Sequence, residues 1–431
     1  MVFLAKIKII FNEIALSKVI QNFSWLFFDR IIRLFVGFFV SVLVARYLGV
    51  ESFGKLSYAV AYTAFFQAIS NFGVDSIVVR DMAKDRESSG EILINVLKLK
   101  LITSSFSVFI GVVIILLFLK DQMLASLIVI FSILFSIGNV VDLLFQSQSL
   151  SRLAVLAKFK SYLICLAIKV AVILFSLDEI FIFISISLEA FLSSVFIFNM
   201  LYKSDLQVKI DFLHFNLEYI AKLIRESWPL AISSVSIIVF MKSGIFFIEN
   251  KLGFDSVGIY SIGVSLAEMT YMLPMLLLMS FAPVIAKAKE KGETDYKNEV
   301  SSFFRLMYIG SMVFVLCVGV LGYSAIPYIY GIAYIQSKYI FLIHIFTLIP
   351  VALGCAQSVW LVNERLTKVA LYQTTSTAVL IIFLNFILID EYGIMGAAFA
   401  TLIAQLFQSL LVNFFFCRPL FKLTWKTIFF R

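Results

Sequence analysis

The sequence predicts an all-α polytopic membrane protein with about 12 transmembrane helices, and two observations carry this prediction. The first is composition: 61% of the 431 residues are hydrophobic and only 14% are charged, whereas soluble domains are roughly half apolar and about a quarter charged. The second is the length of the apolar runs, since a helix needs roughly 20 apolar residues to cross a bilayer. The runs do not alternate apolar and polar residues as barrel strands do, so we expect helices.

Twelve apolar runs follow one another along the chain and define the predicted spans. They lie at residues 22–45, 54–77, 95–119, 122–146, 153–176, 179–202, 228–249, 256–283, 303–323, 338–361, 368–389 and 393–417. Residues 1–20 precede the first span and carry an apolar stripe between lysines. That pattern predicts a short interfacial helix on an anionic membrane surface.

The loops between the spans differ in charge. If the N-terminus is inside, the inner segments hold 26 of the 35 Lys and Arg residues, and the outer loops hold five. Basic residues concentrate in cytoplasmic loops, so both termini are predicted to be cytoplasmic. This distribution explains the net charge of +8 without a nucleic-acid partner. The remaining four cations lie within spans: Arg30, Arg33, Lys169 and Lys242.

A ten-residue pattern occurs once in each half of the chain. Leu48–Ser57 reads L-G-V-E-S-F-G-K-L-S, and Leu252–Ser261, 204 residues later, reads L-G-F-D-S-V-G-I-Y-S. Each copy follows an odd-numbered span, so the halves share one orientation. The repeat predicts two six-helix bundles, residues 1–210 and 211–431, related by a pseudo-two-fold along the membrane normal. We expect the glycines of both copies to occupy turn and close-packing positions.

The sequence contains no motif of a soluble enzyme or a metal protein. Its four cysteines, Cys165, Cys317, Cys355 and Cys417, are far apart within apolar runs. It has no Walker A sequence, no G-x-G-x-x-G and no G-x-S-x-G. We therefore expect no enzyme activity, no cofactor and no metal site.

Several short stretches of both halves together resemble a known family. They are W-L-F-F-D-R-I-I-R from Trp25, A-R-Y-L-G-V-E-S-F-G-K-L-S-Y from Ala45, N-F-G-V-D-S-I-V-V-R-D from Asn71, V-G-I-Y-S from Val257, L-A-E-M-T-Y-M-L-P from Leu266, S-F-A-P from Ser280, L-N-F-I-L-I-D-E-Y-G from Leu384 and G-I-M-G-A-A-F-A-T from Gly393. In this order they resemble the Wzx-type flippases of O-antigen and polysaccharide repeat units. These flippases form the polysaccharide branch of the multidrug/oligosaccharidyl-lipid/polysaccharide exporter superfamily. The resemblance covers essentially the whole chain.

The resemblance implies a function and a substrate. It implies translocation of a polyprenyl-diphosphate-linked oligosaccharide from the inner to the outer leaflet by ion- or gradient-driven alternating access. It also implies contact with membrane lipid and an association with polysaccharide polymerase and chain-length proteins. Two positions depart from the family pattern. Met241-Lys242-Ser243-Gly244 lacks the acid that often follows M-K-x, and Asp390 stands where a proline is usual.

The ionisable residues inside the spans are the candidate functional residues, because charges in a bilayer are expensive and usually face a cavity. Arg binds phosphate through a bidentate fork and Lys as a point charge. We hypothesise that Arg30 and Arg33 receive the diphosphate and that Lys169 and Lys242 hold it later in the cycle. Four acids are candidates for ion coupling or for charge pairing with these cations: Asp29, Asp142, Glu189 and Glu268.

Several of these charges also have a structural interpretation. Asp29 and Arg33 are spaced i,i+4 and can pair with each other. The other three acids can pair with Lys169, Lys242 or Arg30 in the bundle interior. Asp75 and Arg80 are predicted to form a structural pair. In the polar linker between the halves, Asn216 is expected to cap a short helix, Leu217–Ile224.

Two other functions remain open from the sequence. A multidrug or cation antiporter of the same superfamily would use acids and aromatic side chains in its cavity. An O-antigen polymerase or ligase would need a sizeable outer loop, and the longest one here, 323–337, is about 15 residues long.

Overall fold

The computed structural model describes the backbone of residues 18–118, 123–204, 206 and 216–429. Its side-chain description covers Trp25 and residues 31–118, 124–204, 206, 216–366 and 368–427. The predicted interfacial helix at residues 1–20 lies almost entirely outside these ranges.

The first half of the described chain is helical. Its helices are α1 (Lys18–Asn71), α2 (Asp75–Lys84), α3 (Ser89–Phe118), α4 (Met123–Ile130), α5 (Ser132–Phe135), α6 (Asn139–Ser147), α7 (Ser151–Leu174) and α8 (Ile180–Tyr202). A 3₁₀ turn, Ser136–Gly138, joins α5 to α6.

The second half is helical as well. Its helices are α9 (Leu217–Met269), α10 (Met272–Lys291), α11 (Glu293–Tyr330), α12 (Ser337–His344), α13 (Leu348–Asn363), α14 (Thr367–Tyr392), α15 (Ile394–Leu406), α16 (Val412–Phe416) and α17 (Arg418–Phe429). Two 3₁₀ turns, Ile332–Tyr334 and Ile345–Thr347, and one π-helical turn, Phe407–Leu411, connect them.

The helices account for the predicted number of spans. Within the described ranges, nine stretches are long and apolar enough to cross a membrane. Two of them, Ile31–Lys84 and Leu217–Lys291, each contain two predicted spans. The fifth predicted span, α7, is not among the nine because every 18-residue stretch of it carries at least three basic residues. The predicted fold class, an all-α polytopic protein with about twelve spans, is confirmed.

Both copies of the repeat contain a glycine that kinks a long helix. Gly49 in α1 has φ 73° and ψ −179°, and Gly253 in α9 has φ 79° and ψ −179°. Side chains with a Cβ are essentially excluded from this backbone region, so glycine is the residue that allows the turn. The equivalence of the two copies therefore extends from sequence to backbone conformation.

The chain forms two compact units. Unit 1 contains Tyr62–Ala231 and the described residues up to Tyr47, and unit 2 contains Leu48–Ala61 and the described residues from Ile232 onward. The first copy of the repeat thus packs within unit 2. The beginning of α9 packs within unit 1. The sequence suggested a single division between residues 210 and 211, whereas the compact units have three boundaries because these two segments pack away from the rest of their own half.

The beginning of α9 is fixed within unit 1 by its cap and its core. Asn216 accepts a hydrogen bond from the backbone N–H of Tyr219 at 2.9 Å, as expected of an N-cap residue. The predicted short helix Leu217–Ile224 is wrong in length, because the helix continues for 53 residues. Ile220 and Leu223 join the unit 1 core, a cluster of buried apolar side chains from α2, α3, α6, α7 and α8.

One span in each unit is interrupted by a 3₁₀ turn. In unit 1 the hydroxyl of Ser136 donates to the carbonyl of Ile133, which draws the helix into a tighter turn. In unit 2 the hydroxyl of Thr347 donates in the same way to the carbonyl of His344. Pro350 follows this second interruption, and its ring cannot donate a helical hydrogen bond. Interrupted spans in corresponding places of two halves are typical of transporter binding regions.

Candidate functional site

Three charged side chains from three helices meet inside unit 1. Glu189 of α8 lies between Arg33 of α1 and Lys169 of α7. Its Oε1 atom is 3.5 Å from Nη1 of Arg33, and its Oε2 atom is 4.0 Å from Nζ of Lys169. We call these three residues the Arg33 cluster. Two cations and one carboxylate leave a net positive charge, so the cluster attracts an anion.

One face of α7 borders this cluster. Lys158, Tyr162 and Lys169 are four and seven residues apart, a spacing that places them on the same side of a helix. The guanidinium carbon of Arg33 lies 5.1 Å from the centroid of the Tyr162 ring, within the range of a cation–π contact. Tyr162 and Glu189 together hold the Arg33 side chain in one orientation.

A polar groove of unit 1 contains Arg33 and Glu189. The rest of its lining is mostly hydroxyl and amide side chains together with Lys158: Gln67, Ser132, Ser136, Asn139, Ser161 and Ser193. Such groups are costly in the hydrocarbon region unless they face a cavity or a ligand. The groove can therefore take a ligand that carries both an anionic group and many hydroxyl groups.

A more enclosed cavity of about 220 Å³ adjoins the polar groove; we call it the unit 1 cavity. Asp142 of α6 and Lys158 of α7 form an ion pair in its wall, with 2.6 Å between Oδ2 and Nζ. The groove and the cavity share four lining residues, Gln67, Ser136, Asn139 and Lys158. A continuous polar surface thus connects the Arg33 cluster to the interior of unit 1.

A second ion pair lies in the wall of the unit 1 cavity. Lys100 donates to Oδ1 of Asp75 at 3.2 Å and to Oδ1 of Asn71 at 2.8 Å. Arg80 instead pairs with Asp81 at 2.8 Å and with Glu226 at 2.9 Å. The predicted Asp75–Arg80 pair is therefore wrong. A spacing of five residues turns the two side chains to different sides of the helix, and the partners come from α3 and α9.

Unit 2 contains its own ion pair inside a predicted span. Nζ of Lys242 in α9 lies 3.1 Å from Oε2 of Glu268, which is on the same helix beyond the Gly253 kink. The two side chains are 23% and 19% exposed. Glu268 also lines a largely apolar cavity of about 360 Å³, together with Phe240, Met241, Met275 and several glutamines.

The interruption in the tenth predicted span borders the same cavity. The hydroxyl of Tyr271 lies 3.4 Å from Nε2 of His344 and also bonds to the hydroxyl of Thr347. His344 is 2% exposed, and both it and Tyr271 line the cavity. A tyrosine from the turn between α9 and α10 thus stabilises the turn that joins α12 to α13.

The structure brings some of the predicted site residues together and separates others. Arg33 and Lys169, which the sequence assigned to successive steps, lie at one carboxylate, that of Glu189. Lys242 lies in unit 2 with Glu268. The side chains of Asp29 and Arg30 are outside the described ones, so the predicted Asp29–Arg33 pair stays a prediction.

Three residues of the site were missed from the sequence: Lys100, Lys158 and Tyr162. The sequence places Lys100 and Lys158 near the inner ends of their predicted spans. Because the ends of a predicted span are uncertain by several residues, both lysines group with the basic residues of the inner segments. The structure places both within long helices, α3 and α7. The spacing of Lys158, Tyr162 and Lys169, four and seven residues, places all three on one face of a helix, and this periodicity is visible in the sequence.

A comparison with protein families matches residues 19–289 to the family described as polysaccharide biosynthesis protein. This is more than half of the chain. The chain belongs to this family. The resemblance to the polysaccharide branch of the exporter superfamily is therefore confirmed. No curated protein matches the sequence.

Solved structures of transporters share the fold of this family member. An inward-facing multidrug resistance MATE family transporter of the MOP superfamily has a TM-score of 0.75 and 13% identity, over 90% of this chain and 95% of that one. The lipid II flippase MurJ, in an inward closed conformation, has a TM-score of 0.70 and 17% identity, over 95% and 91%. A MOP superfamily transporter from Pyrococcus furiosus has a TM-score of 0.65 and 13% identity, over 94% and 96%. At these identities the likeness establishes the fold: the protein is a multi-pass membrane protein with a transporter architecture.

Proposed function

We propose that this protein is a flippase that moves a polyprenyl-diphosphate-linked oligosaccharide, an O-antigen or related repeat unit, from the inner to the outer leaflet of the bacterial plasma membrane. The observation that carries the proposal is the Arg33 cluster: two cations share one carboxylate beside a polar groove, on helices that correspond to predicted membrane spans. Membership of the polysaccharide biosynthesis protein family and the MurJ-like fold support it.

The chemistry of the cluster suits the diphosphate of such a lipid. The diphosphate is doubly anionic and cannot cross hydrocarbon unaided, because an unpaired charge in a bilayer is very unfavourable. Arg33 offers a planar fork of donors and Lys169 a point charge. Since Glu189 already pairs with both, it holds them in place before the ligand arrives and is displaced from them when the phosphate oxygens bind. Arg30, one turn earlier on α1, is the predicted second guanidinium of this site.

The lining of the groove suits the sugars. Serine, asparagine and glutamine side chains both donate and accept hydrogen bonds, and they present these groups without adding charge. The polyprenyl tail requires the opposite environment and stays in the surrounding lipid. A groove with a charged end and a neutral polar wall therefore matches the order of groups along the cargo.

The orientation and the driving force belong to the same proposal. The excess of basic residues in one set of loops supports cytoplasmic termini. The sequence has no nucleotide-binding motif, so an ion gradient, the membrane potential or a substrate gradient would drive alternating access. Glu189 and Glu268, each paired with an in-span cation, are the candidate coupling acids; Asp142 serves as the charge partner of Lys158.

The test is export in cells that lack the gene. The deletion strain should accumulate lipid-linked oligosaccharide on the cytoplasmic leaflet and lose surface polysaccharide, and the wild-type gene should restore both. Arg33→Gln, Lys169→Gln and Arg30→Gln should each lower export by about tenfold at an unchanged membrane level, since each removes a charged hydrogen-bond donor. Lys160→Gln is the matched control, because Lys160 is an exposed cation on α7 outside the cluster. Wild-type export in all three of the variants Arg33→Gln, Lys169→Gln and Arg30→Gln would refute the proposed site.

A multidrug or cation antiporter is the second candidate function. It is favoured by the cavity of about 360 Å³ in unit 2, whose surface is largely apolar and where one carboxylate, Glu268, lies near Phe240 and Tyr271 as well as several glutamines. A lipophilic cation fits such a lining better than an oligosaccharide does. If deletion leaves surface polysaccharide intact and raises sensitivity to cationic drugs, this function replaces the flippase.

A further inference from the structure

The unit 1 cavity has no role in the diphosphate site described above, yet ten of the thirteen residues that line it are polar. Two ion pairs, Lys100–Asp75 and Lys158–Asp142, form part of its wall. Each pair is formally neutral. An anion therefore gains little from entering the cavity, whereas a neutral molecule with many hydroxyl groups finds partners on all sides.

One atom in the wall lacks a hydrogen-bond partner. Asp142 is 8% exposed, and its Oδ2 atom accepts from Nζ of Lys158. Its Oδ1 atom is buried and has no hydrogen bond within the described part of the chain. A buried acceptor without a donor is unfavourable by about 1–3 kcal/mol, more for a charged group. Oδ1 is itself closed off from the cavity, so a hydroxyl group there would supply the missing donor only after the Asp142 side chain turns.

The cavity adjoins the groove that holds Arg33 and Glu189. Gln67, Ser136, Asn139 and Lys158 line both the cavity and the polar groove that holds Arg33 and Glu189. A ligand with its diphosphate at the Arg33 cluster can thus extend into the cavity without leaving polar surface. In the cargo, the group joined directly to the diphosphate is a sugar.

We infer that the unit 1 cavity is the subsite for the sugar attached to the diphosphate; this inference rests on the proposed function. The cavity volume of about 220 Å³ equals that of about seven water molecules, which is room for one sugar ring rather than for a whole repeat unit. Its polar wall excludes the polyprenyl tail. The remaining sugars lie in the groove or beyond it, so the cavity contacts the first sugar alone.

This assignment gives individual residues a recognition role. Asp142 contributes a carboxylate to the cavity lining, and Gln146, one turn further along α6, presents an amide to the same cavity. A pocket that hydrogen-bonds a hydroxyl group discriminates strongly against ligands that lack it, because its buried polar atoms are then left unpaired. Selectivity for the first sugar would therefore depend on α6, and diphosphate binding on α1, α7 and α8.

The experiment compares two lipids on the full-length protein in nanodiscs. One is the lipid-linked oligosaccharide purified from cells that lack this protein, and the other is undecaprenyl diphosphate, which has no sugar. We expect Asp142→Asn and Gln146→Met to weaken binding of the first lipid by about tenfold and to leave binding of the second unchanged. Gln148→Met, on the same segment but outside the cavity lining, should change neither. Arg33→Gln should weaken both.

Each result has a distinct consequence. If Asp142→Asn and Gln146→Met weaken both lipids equally, or neither, the sugar subsite is wrong, while the proposed function stands as long as the wild-type protein binds both lipids. Two variants are used because Asp142→Asn leaves Lys158 less well paired, whereas Gln146→Met keeps every charge. If the wild-type protein binds neither lipid, the proposed function fails and the subsite fails with it. If Asp142→Asn and Gln146→Met weaken binding of the lipid-linked oligosaccharide alone, the subsite is established, whatever the effect of Arg33→Gln on either lipid.

Discussion

Gly54 and Gly258 hold equivalent positions in the two copies of the repeat, and each packs against the backbone of the other copy within unit 2. A Cβ atom at Gly54 would lie 2.0 Å from the carbonyl oxygen of Phe254. A Cβ atom at Gly258 would lie 2.2 Å from the carbonyl oxygen of Val50. The reciprocal relationship, in which each copy contacts the other through the same position, is what a two-fold-related pair produces.

The first prediction is that alanine at either position destabilises the protein. The added methyl group meets backbone rather than a mobile side chain, so the two segments must move apart, at a cost of about 1–3 kcal/mol. Gly54→Ala and Gly258→Ala should each lower the Tm of the protein in detergent by several degrees and reduce its level in the membrane.

Gly310→Ala is the control for this prediction. Gly310 lies within helix α11, and a Cβ atom there would meet nothing within 4 Å. Alanine should be tolerated at this position, and its higher helix propensity should hold or raise the Tm. Equal Tm values for all three variants would mean that the close approach of the two copies does not contribute to stability.

The second prediction tests the effect of backbone conformation at positions where an added Cβ atom makes no steric clash. A Cβ atom at Gly49 or Gly253 would also meet nothing within 4 Å, yet both residues have φ above 70° and ψ near 180°. Alanine there is strained by about 1–3 kcal/mol from conformation alone. Gly49→Ala and Gly253→Ala should therefore lower the Tm although no atoms clash.

Gly354→Ala is the matched control for the second prediction, since Gly354 is equally open and lies within the regular helix α13. Loss of Tm in Gly49→Ala and Gly253→Ala, but not in Gly354→Ala, is the expected result of thermal unfolding. If the kinked variants keep the wild-type Tm, the kinks are not fixed features of the fold.

The sequence predicted the parts of the fold that depend on local pattern. The repeat located Gly49 and Gly253 because their surroundings, L-G-x-[ED]-S, match over several residues. Asn216 was predicted as a cap because capping is a local interaction. The number of spans followed from the length of the apolar runs.

The parts that depend on packing between distant segments were not predicted. The interruption at Ser136–Gly138 is stabilised by α8, and no property of the fourth span alone locates it there. Ion-pair partners are likewise set by neighbouring helices: Lys100, Lys158 and Glu226 all pair with residues at least 16 positions away. An in-span charge can be recognised from sequence, but its partner cannot.

The third prediction concerns this interruption in the fourth span. The hydroxyl of Ser194 in α8 accepts a hydrogen bond from the N–H of Gly138 at 3.0 Å and donates to the carbonyl of Phe135. One side chain of α8 thus bridges two backbone groups of the turn that interrupts the span. Ser194→Ala should lower the stability by about 1 kcal/mol, measured as a Tm decrease in detergent.

Ser376→Ala serves as the comparison, since Ser376 is half-buried on α14 and, within the described part of the chain, its hydroxyl bonds to carbonyls of its own helix, those of Tyr372 and Gln373. It should be close to neutral. If Ser194→Ala and Ser376→Ala have the same Tm as the wild-type protein, the bridge across the interruption adds nothing to stability.

The last prediction tests whether Lys242 and Glu268 act as a unit. Removal of one member of a partly buried ion pair leaves the other charge unpaired, which is more unfavourable than losing both. Lys242→Met and Glu268→Gln should therefore each reduce the membrane level of the protein, and the double variant should recover much of it. The double-mutant cycle measures this coupling directly.

The export activity of the double variant then distinguishes a structural role of the pair from a role in transport. A double variant that is present at the wild-type level but exports poorly gives the pair a role in the cycle, either through the cation or through the carboxylate at the cavity. A double variant that also exports normally makes the pair purely structural, and the transport charges are then confined to unit 1.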